Sequence, residues 1–390
     1  MQQRRVIVVG GGAWGLPAAL QLQDRGWRVT LVERFEPGGP FASNGGGTRL
    51  WRLADTQAWR ARAMLGTLRA LERLSERLGA PVFRRTGLLW RDDLSLPAVA
   101  EALTSIGEPV ERVTAERVGE VFAGLRPDGR DGLYVAQAGV VLADRLLAGA
   151  LAAFRRAGGE YRPGTRVTSV VPGESSARVE LAHGEELVAD QLLVTAGPGT
   201  AELLPGLGLA LPLTPYIEQV VYFGDSAASP PAPELPGLVD CPVGEAPGIY
   251  AMPSGDAGYK VGLDLPLRRL AGGTLGDDLD RAEWPERTER IRARVERDLT
   301  AVAPRVLATQ VCTWTDSGDG DFTVARTHPT AVLACGDSGE GFKYAAFMGE
   351  YLADLVDGGE GDPVFQQHWD PRRFGDDAAP RAHFDPIGRH

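Results

Sequence analysis

The chain has 390 residues, with 41 Lys plus Arg against 52 Asp plus Glu and a formal net charge of −11. That balance excludes the basic face needed to neutralise nucleic-acid phosphates or an anionic membrane, while 43% hydrophobic and 24% charged residues describe a globular enzyme with a large core and two or three domains. Three scattered cysteines, Cys241, Cys312 and Cys335, make neither a disulfide framework nor a zinc site, the five histidines lack metal-ligand spacing, and a reducing cytoplasm is the expected setting.

Arg4-Arg5 ahead of residues 6–9 imitates the start of a leader, but Gly10-Gly11-Gly12 and Gly15 interrupt the apolar run. No segment reaches the ~18 apolar residues of a membrane span. Residues 6–9 instead read as a β-branched strand buried on both faces. They lead into Gly10-x-Gly12-x-x-Gly15, then a helical pattern through Ala18, Ala19, Leu20 and Leu22 that ends near Gly26. A second run, 29–32, stops at Glu33. Gly10 permits the tight turn and Gly12 lets backbone approach a pyrophosphate. Gly15 lets helix and strand pack closely, and the helix N-terminus favours the phosphate charge. Glu33 is placed to accept from a ribose hydroxyl pair, and an acid there fits an unphosphorylated ribose, hence FAD or NAD. Ala13, Trp14 and Arg34 are counted with this site.

A second Gly-rich segment, 43–52, carries Asn44, Gly47, Thr48 and Arg49 and could close over a cofactor. Residues 58–78 repeat leucine at three- or four-residue spacing, an amphipathic helix whose arginines and glutamates form a solvated face. Val167 is counted as a cofactor contact. Residues 190–197 read as a strand ending in Thr195-Ala196-Gly197, and 331–337 as another ending in Gly336-Asp337; small residues there let backbone come close to a ligand. The Pro-, Gly- and Ala-rich stretch 225–248 reads as loops over the substrate side, 286–300 as a charged surface helix, and 370–390 as a peripheral tail. Such wide spacing implies a nucleotide domain assembled from 1–80, 139–210 and 325–370, with a substrate domain from 81–138 and 211–324 and a tail over 371–390.

Only two lysines occur, Lys260 and Lys343. An arginine-biased composition leaves a few lysines by chance. Yet Lys260 follows the segment around Tyr250, and Lys343 ends a run holding Gly336, Gly339, Gly341 and Phe342. A compact ammonium that shifts its pKa is something arginine cannot replace.

Taken together, the motifs resemble the FAD-dependent amine oxidases of the D-amino-acid oxidase superfamily, in the monomeric sarcosine oxidase branch. The resemblance runs from Val6 to about Leu355. Its specific motifs are Gly47-Thr48-Arg49-Leu50-Trp51-Arg52, Val311-Cys312-Thr313-Trp314-Thr315 and Gly341-Phe342-Lys343-Tyr344. Trp51-Arg52-Leu53, Thr56-Gln57 and Asp264 lean toward its piperideine-carboxylate oxidases, as in nikkomycin biosynthesis. The fold implied is α/β: a GxGxxG-type, glutathione-reductase-like FAD domain with a second, mixed-sheet α+β substrate domain.

The resemblance also implies roles. Cys312 would carry the flavin through a thioether; read alone, it is a small buried hydrophobe, as free cysteines usually are. Arg49 and Lys343 match a pair gripping the substrate carboxylate, Lys260 a lysine serving oxygen reduction, and Tyr250 a pocket tyrosine. The alternatives are a surface ion pair for Arg49 or Arg52 and core packing for Tyr250. This chain departs from the sarcosine oxidases in having Gly45, Asp264 and Glu340 where they have histidine, and Trp314 where they have tyrosine. Gly45 would enlarge the cavity. Asp264 would bind or deprotonate a substrate amine, unless it is a solvated acid at a strand end.

The expected activity is oxidation of a secondary or cyclic amino acid to an imine, with oxygen reduced to hydrogen peroxide. No metal, nucleic-acid or membrane partner is expected, and the chain would act as a monomer or small homo-oligomer. A dehydrogenase using another electron acceptor, and a non-catalytic flavin-binding scaffold, are the alternatives.

Overall fold

The computed structural model describes residues 3–225, 235–244, 247–276, 278–375 and 379. The strands β1 (Arg5–Val9) and β2 (Arg28–Val32) pair in parallel through the helix α1 (Gly15–Asp24). They lie in a six-stranded sheet whose order is Thr323–His328, Ala331–Cys335, Gln191–Val194, β1, β2, Glu160–Arg162. All neighbours are parallel except the edge strand Thr323–His328. The parallel strands are near-continuous apolar runs because both faces are covered, one by α1 and Ala345–Val356. Their carboxyl ends therefore converge at one edge, where Gly10, Glu33, Ala196 and Gly336 follow directly.

A nine-stranded mixed sheet forms the second layer, with Thr214–Phe223 flanked by Tyr259–Leu263 and Val306–Asp316. Ile249–Pro253, Gly237–Cys241 and Leu88–Asp92 continue it. Between the two sheets lies β3 (Thr48–Trp51), paired antiparallel with Gly139–Leu142. The helix α2 (Ala58–Leu78) has the expected bounds and ends on Gly79 in the left-handed conformation, φ 69°.

Three local expectations change. Within the Pro- and Gly-rich stretch 225–248, Gly237–Cys241 is a sheet strand with four of its five residues buried, not a loop; 226–234 and 245–246 lie outside the described residues. The charged helix Pro285–Asp298 buries Arg287 and Arg294 beside Ile291 and Val295, and α2 buries Arg60. Each of these three arginines meets a buried carboxylate; the remaining charged side chains of both helices are exposed or half-buried, as expected. Of the expected tail, residues 371–374 form a short 3₁₀ turn tied down by Arg373 to Asp319 at 2.7 Å, and the rest, save 375 and 379, lies outside the described residues. Among the described residues no helix is long and apolar enough to cross a membrane.

Candidate active site

Two clefts meet at the junction of the sheets, one enclosing about 1090 Å³ and the other about 1050 Å³. Ser43 and Phe342 line both. Joined at those two residues, they suit a cofactor lying beside a substrate.

The first cleft begins at the glycine turn. Gly10 has φ 98°, and a Cβ on it would lie 2.3 Å from the Thr195 carbonyl. At Gly15 a Cβ would lie 1.9 Å from the Gly10 carbonyl oxygen, so α1 packs against β1 only because that atom is missing. Gly12 differs: its Cβ direction meets only Asn44 Nδ2 at 3.1 Å and otherwise opens into the cleft. No side chain caps α1, and Gly12, Ala13 and Trp14 line the cleft at its N-terminus. Glu33 closes the far end, its Oε2 accepting from Gly11 N at 2.6 Å and its Oε1 from Phe35 N at 2.7 Å. A carboxylate has about four acceptor positions, so capacity remains for a ribose hydroxyl. Arg34, Asn44, Val167, Ala196 and Gly197 line the same cleft, as do Gly336 and Gly341. A Cβ on Gly341 would lie 2.9 Å from the Trp14 ring, whose Nε1 donates to the Gly341 carbonyl at 2.8 Å. These residues fit a dinucleotide: an uncapped helix end, open backbone at Gly12 and an anchored acid at the second strand.

The second cleft is floored by one face of the nine-stranded sheet. Side chains alternate along a strand and residues directly opposite in an antiparallel pair share a face. Tyr216 stands across from Trp314, Glu218 from Cys312, and Val220 from Gln310. On the other side Val220 faces Gly262 and Tyr222 faces Lys260, and these face Tyr250 and Met252 in turn. A period of two therefore delivers Glu218, Gln310, Cys312, Trp314, Lys260 and Tyr250 to one surface. Gly262 makes room for Tyr250: a Cβ there would lie 2.3 Å from its ring. Trp314 stacks on Tyr216 with centroids 4.8 Å apart. Asp264 follows the strand end and is buried, 6% exposed, rather than solvated.

The opposite wall comes from β3 and the 3₁₀ turn Gly341–Tyr344. Arg49 donates to the Thr48 carbonyl at 2.9 Å and to the Gly45 carbonyl, and stacks over Phe342 at 5.3 Å. It lines the cleft instead of forming a surface ion pair. Lys260 Nζ donates to the same Thr48 carbonyl. Burial, with Arg49 beside it, holds this ammonium well below the usual lysine range. Burial also pushes the Cys312 thiol up, against the pull of Arg49. Lys343 donates to Glu340 Oε1 at 2.9 Å, and Glu340 also accepts from Arg52 at 2.6 Å and Arg60 at 3.3 Å. Despite its burial the Glu340 carboxyl is held down at about 2 by Lys343 and the two arginines. Burial and Arg52 bring Lys343 down to about 8.

The six residues expected at the reaction centre, Arg49, Tyr250, Lys260, Asp264, Trp314 and Lys343, thus line one cleft, with Cys312 and Gly339. Three expected cofactor contacts do not line either cleft: Gly15 packs helix on strand, and Gly47 and Thr48 sit behind, where the Thr48 carbonyl orients Lys260 and Arg49. The enlargement expected at Gly45 is absent, because the Gln310 amide fills the space; a Cβ on Gly45 would lie 2.8 Å from its Nε2. Arg52 is a buried ion pair rather than a surface one.

Glu218 lines the cleft and escaped notice in the sequence. Its signal was an acid inside Thr214–Phe223, a strand whose ten residues are all buried.

A family model described as FAD dependent oxidoreductase matches residues 5–355. Monomeric sarcosine oxidase from Bacillus sp. (strain B-0618) is 28% identical, over 90% of this chain and 91% of its own. In structure the chain resembles NikD, an unusual amino acid oxidase essential for nikkomycin biosynthesis, with a TM-score of 0.82 and 22% identity over 95% of this chain and 98% of that one. It also resembles L-proline dehydrogenase from P. horikoshii, with a TM-score of 0.80 and 20% identity over 97% of this chain and 100% of that one. At such identities the two structural likenesses speak for the fold.

Proposed function

The chain belongs to the FAD dependent oxidoreductase family, and from that premise we propose that it oxidises the C–N bond of a secondary or cyclic amino acid to an imine, with oxygen reduced to hydrogen peroxide. Pipecolate, proline and N-methyl amino acids are the substrate types meant. The observation that carries this reading is the joining of a dinucleotide cleft, at Ser43 and Phe342, to a second cleft where Arg49, Lys260 and Lys343 converge.

When bound, FAD would supply the two-electron acceptor for the substrate C–H bond and hand those electrons to oxygen. Gly12 and the N-terminus of α1 would hold its pyrophosphate, Glu33 its ribose, and Cys312 its covalent link. A thiol raised by burial attacks only after losing its proton, and Arg49 and Lys260 favour the thiolate. Arg49 offers a planar fork to the substrate carboxylate. Lys343 gives one of its three N–H donors to Glu340 and keeps two. Tyr250 and Trp314 wall the cleft, and Asp264 holds the amine end. Lys260, its ammonium lowered by burial and by Arg49, would stabilise the negative charge that develops in the oxygen step.

Two measurements test the reading. Acid denaturation should leave the yellow colour on the polypeptide, with the mass of flavin on the Cys312 peptide; released flavin would remove the covalent link but leave the FAD site. Under anaerobic conditions, cyclic or N-methyl amino acids should bleach the flavin, and air should then yield peroxide. No bleaching by any such amine would sink the reading, and bleaching without peroxide would move it to a dehydrogenase.

A further inference from the structure

Glu218 is a carboxylate in the cleft wall with only one oxygen engaged. Its Oε1 accepts from Arg287 at 2.6 Å and from Gln219 N at 2.8 Å. Among the described residues nothing hydrogen-bonds its Oε2, and the residue lines the second cleft. The residue itself is 7% exposed. Arg287, from the helix Pro285–Asp298, fixes the carboxyl from behind and leaves its other edge toward the ligand space.

The chemistry proposed above creates a need there. A secondary or cyclic amino acid arrives at neutral pH with a protonated nitrogen, and a C–H bond next to an ammonium does not release hydride. The proton must first go to a group within reach. Resting on that functional reading, we infer that Glu218 is the proton acceptor of the cleft: its Oε2 takes the proton of the substrate ammonium, so that the neutral amine is the species oxidised. The N–H bond breaks with its electron pair left on nitrogen, and an O–H bond forms on Glu218. The acid returns the proton to water when the product leaves. No electron moves to or from the protein in this step.

The neighbours support the choice. Burial, opposed by Arg287 and reinforced by Asp264, raises the Glu218 carboxyl to about 7, close to the pH at which it must both accept and release a proton. Tyr250, from Ile249–Pro253, and Cys312, directly opposite on Val306–Asp316, are its other neighbours; burial raises the Tyr250 hydroxyl, so it stays protonated, and Cys312 as the flavin's thioether would hold no proton. Glu340, held at about 2 by three cations, is too weak a base. Asp264 and Lys260 are the rivals. Asp264 lines the same cleft and holds the amine end, so Asp264→Asn joins the comparison. The Lys260 ammonium is also lowered, but its Nζ donates to the Thr48 carbonyl and stands beside Arg49.

The test is anaerobic flavin bleaching by proline or pipecolate across the pH range, in the holoenzyme and its variants. The wild type should hold its rate above neutral pH and lose it as pH falls through about 7. Glu218→Gln should bleach ~10²–10⁴-fold slower at neutral pH. It should recover about tenfold per pH unit as the free amine appears in solution, reaching the wild-type rate in alkali. Glu218→Asp, which keeps the acid, should restore part of the neutral-pH rate, and it serves alone if the Gln variant binds no flavin. Equal loss at every pH in either variant would make Glu218 a binding or structural group and overturn the inference. So would a neutral-pH limb that survives Glu218→Gln but disappears in Asp264→Asn or Lys260→Met. If no amino acid bleaches even the wild type, the functional reading fails instead.

Discussion

Lys260 and Lys343 share a residue type but not a situation. Both are almost fully buried, 3% and 5% exposed, and burial depresses both ammonium groups. Lys343 has a carboxylate 2.9 Å away, whereas Lys260 has a backbone carbonyl and Arg49 for company. A cation without a counter-charge in a dry site is best used where negative charge appears during reaction. Lys260→Met should therefore slow flavin reoxidation by oxygen ~10²-fold or more, while flavin reduction by substrate changes little. Stopped-flow measurement of the two half-reactions decides it, and equal slowing of both would refute the role. The scarcity of lysine made these two positions legible in the sequence. Glu340 was noticed there only as a departure, because nothing in its local run shows that Arg52 and Arg60, 288 and 280 residues away, would close on it.

At the scale of elements, the glycines of the first turn were readable because their demands are local. Gly15→Ala would normally strengthen a helix by ~1 kcal/mol. Here its Cβ would lie 1.9 Å from the Gly10 carbonyl and 2.3 Å from Thr195 Oγ1. Backbone cannot yield as a flexible side chain does, so the clash, worth ~1–3 kcal/mol or more, should win. The variant should melt at lower temperature and purify with less flavin; a higher melting temperature would show that the helix gain dominates. The strands of the second sheet were harder. Alternation puts side chains on two faces of a strand, but which face meets which depends on register, and a one-residue slip would reverse Glu218, Cys312 and Trp314 together. Gly262 illustrates this: in the sequence it is an unremarked glycine, and in the sheet it is the space that Tyr250 occupies. Gly262→Val should push the Tyr250 ring into the cleft and raise the substrate KM ~10-fold, the loss of ~1.4 kcal/mol of binding. An unchanged KM would mean that the ring moves elsewhere.

Across the whole molecule, a buried ion cluster ties β3, α2 and the Gly341–Tyr344 turn around Glu340. Its carboxyl lies at about 2 in the folded chain against an ordinary 4.5. A carboxyl lowered on folding adds stability that is complete above 4.5 and is lost as pH falls toward 2. Glu340→Gln leaves three cations without that charge and should cost ~3–5 kcal/mol at neutral pH. The gap from wild type, read from urea midpoints, should close as the solution is acidified through that window. A gap independent of pH would show that packing, not charge, is what Glu340 contributes. By itself the sequence determined the βαβ dinucleotide unit, the long helix α2 and the family, since turn glycines, apolar periodicity and contiguous motifs act over a few residues. It also named the six residues that gather in the second cleft. Only the tertiary structure decided that Gln310 fills the space beside Gly45, that Arg60, Arg287 and Arg294 of two charged helices are buried, and that Glu218 lines the second cleft. Those facts depend on strand register and on contacts between segments far apart in the chain, which no local pattern of residues encodes.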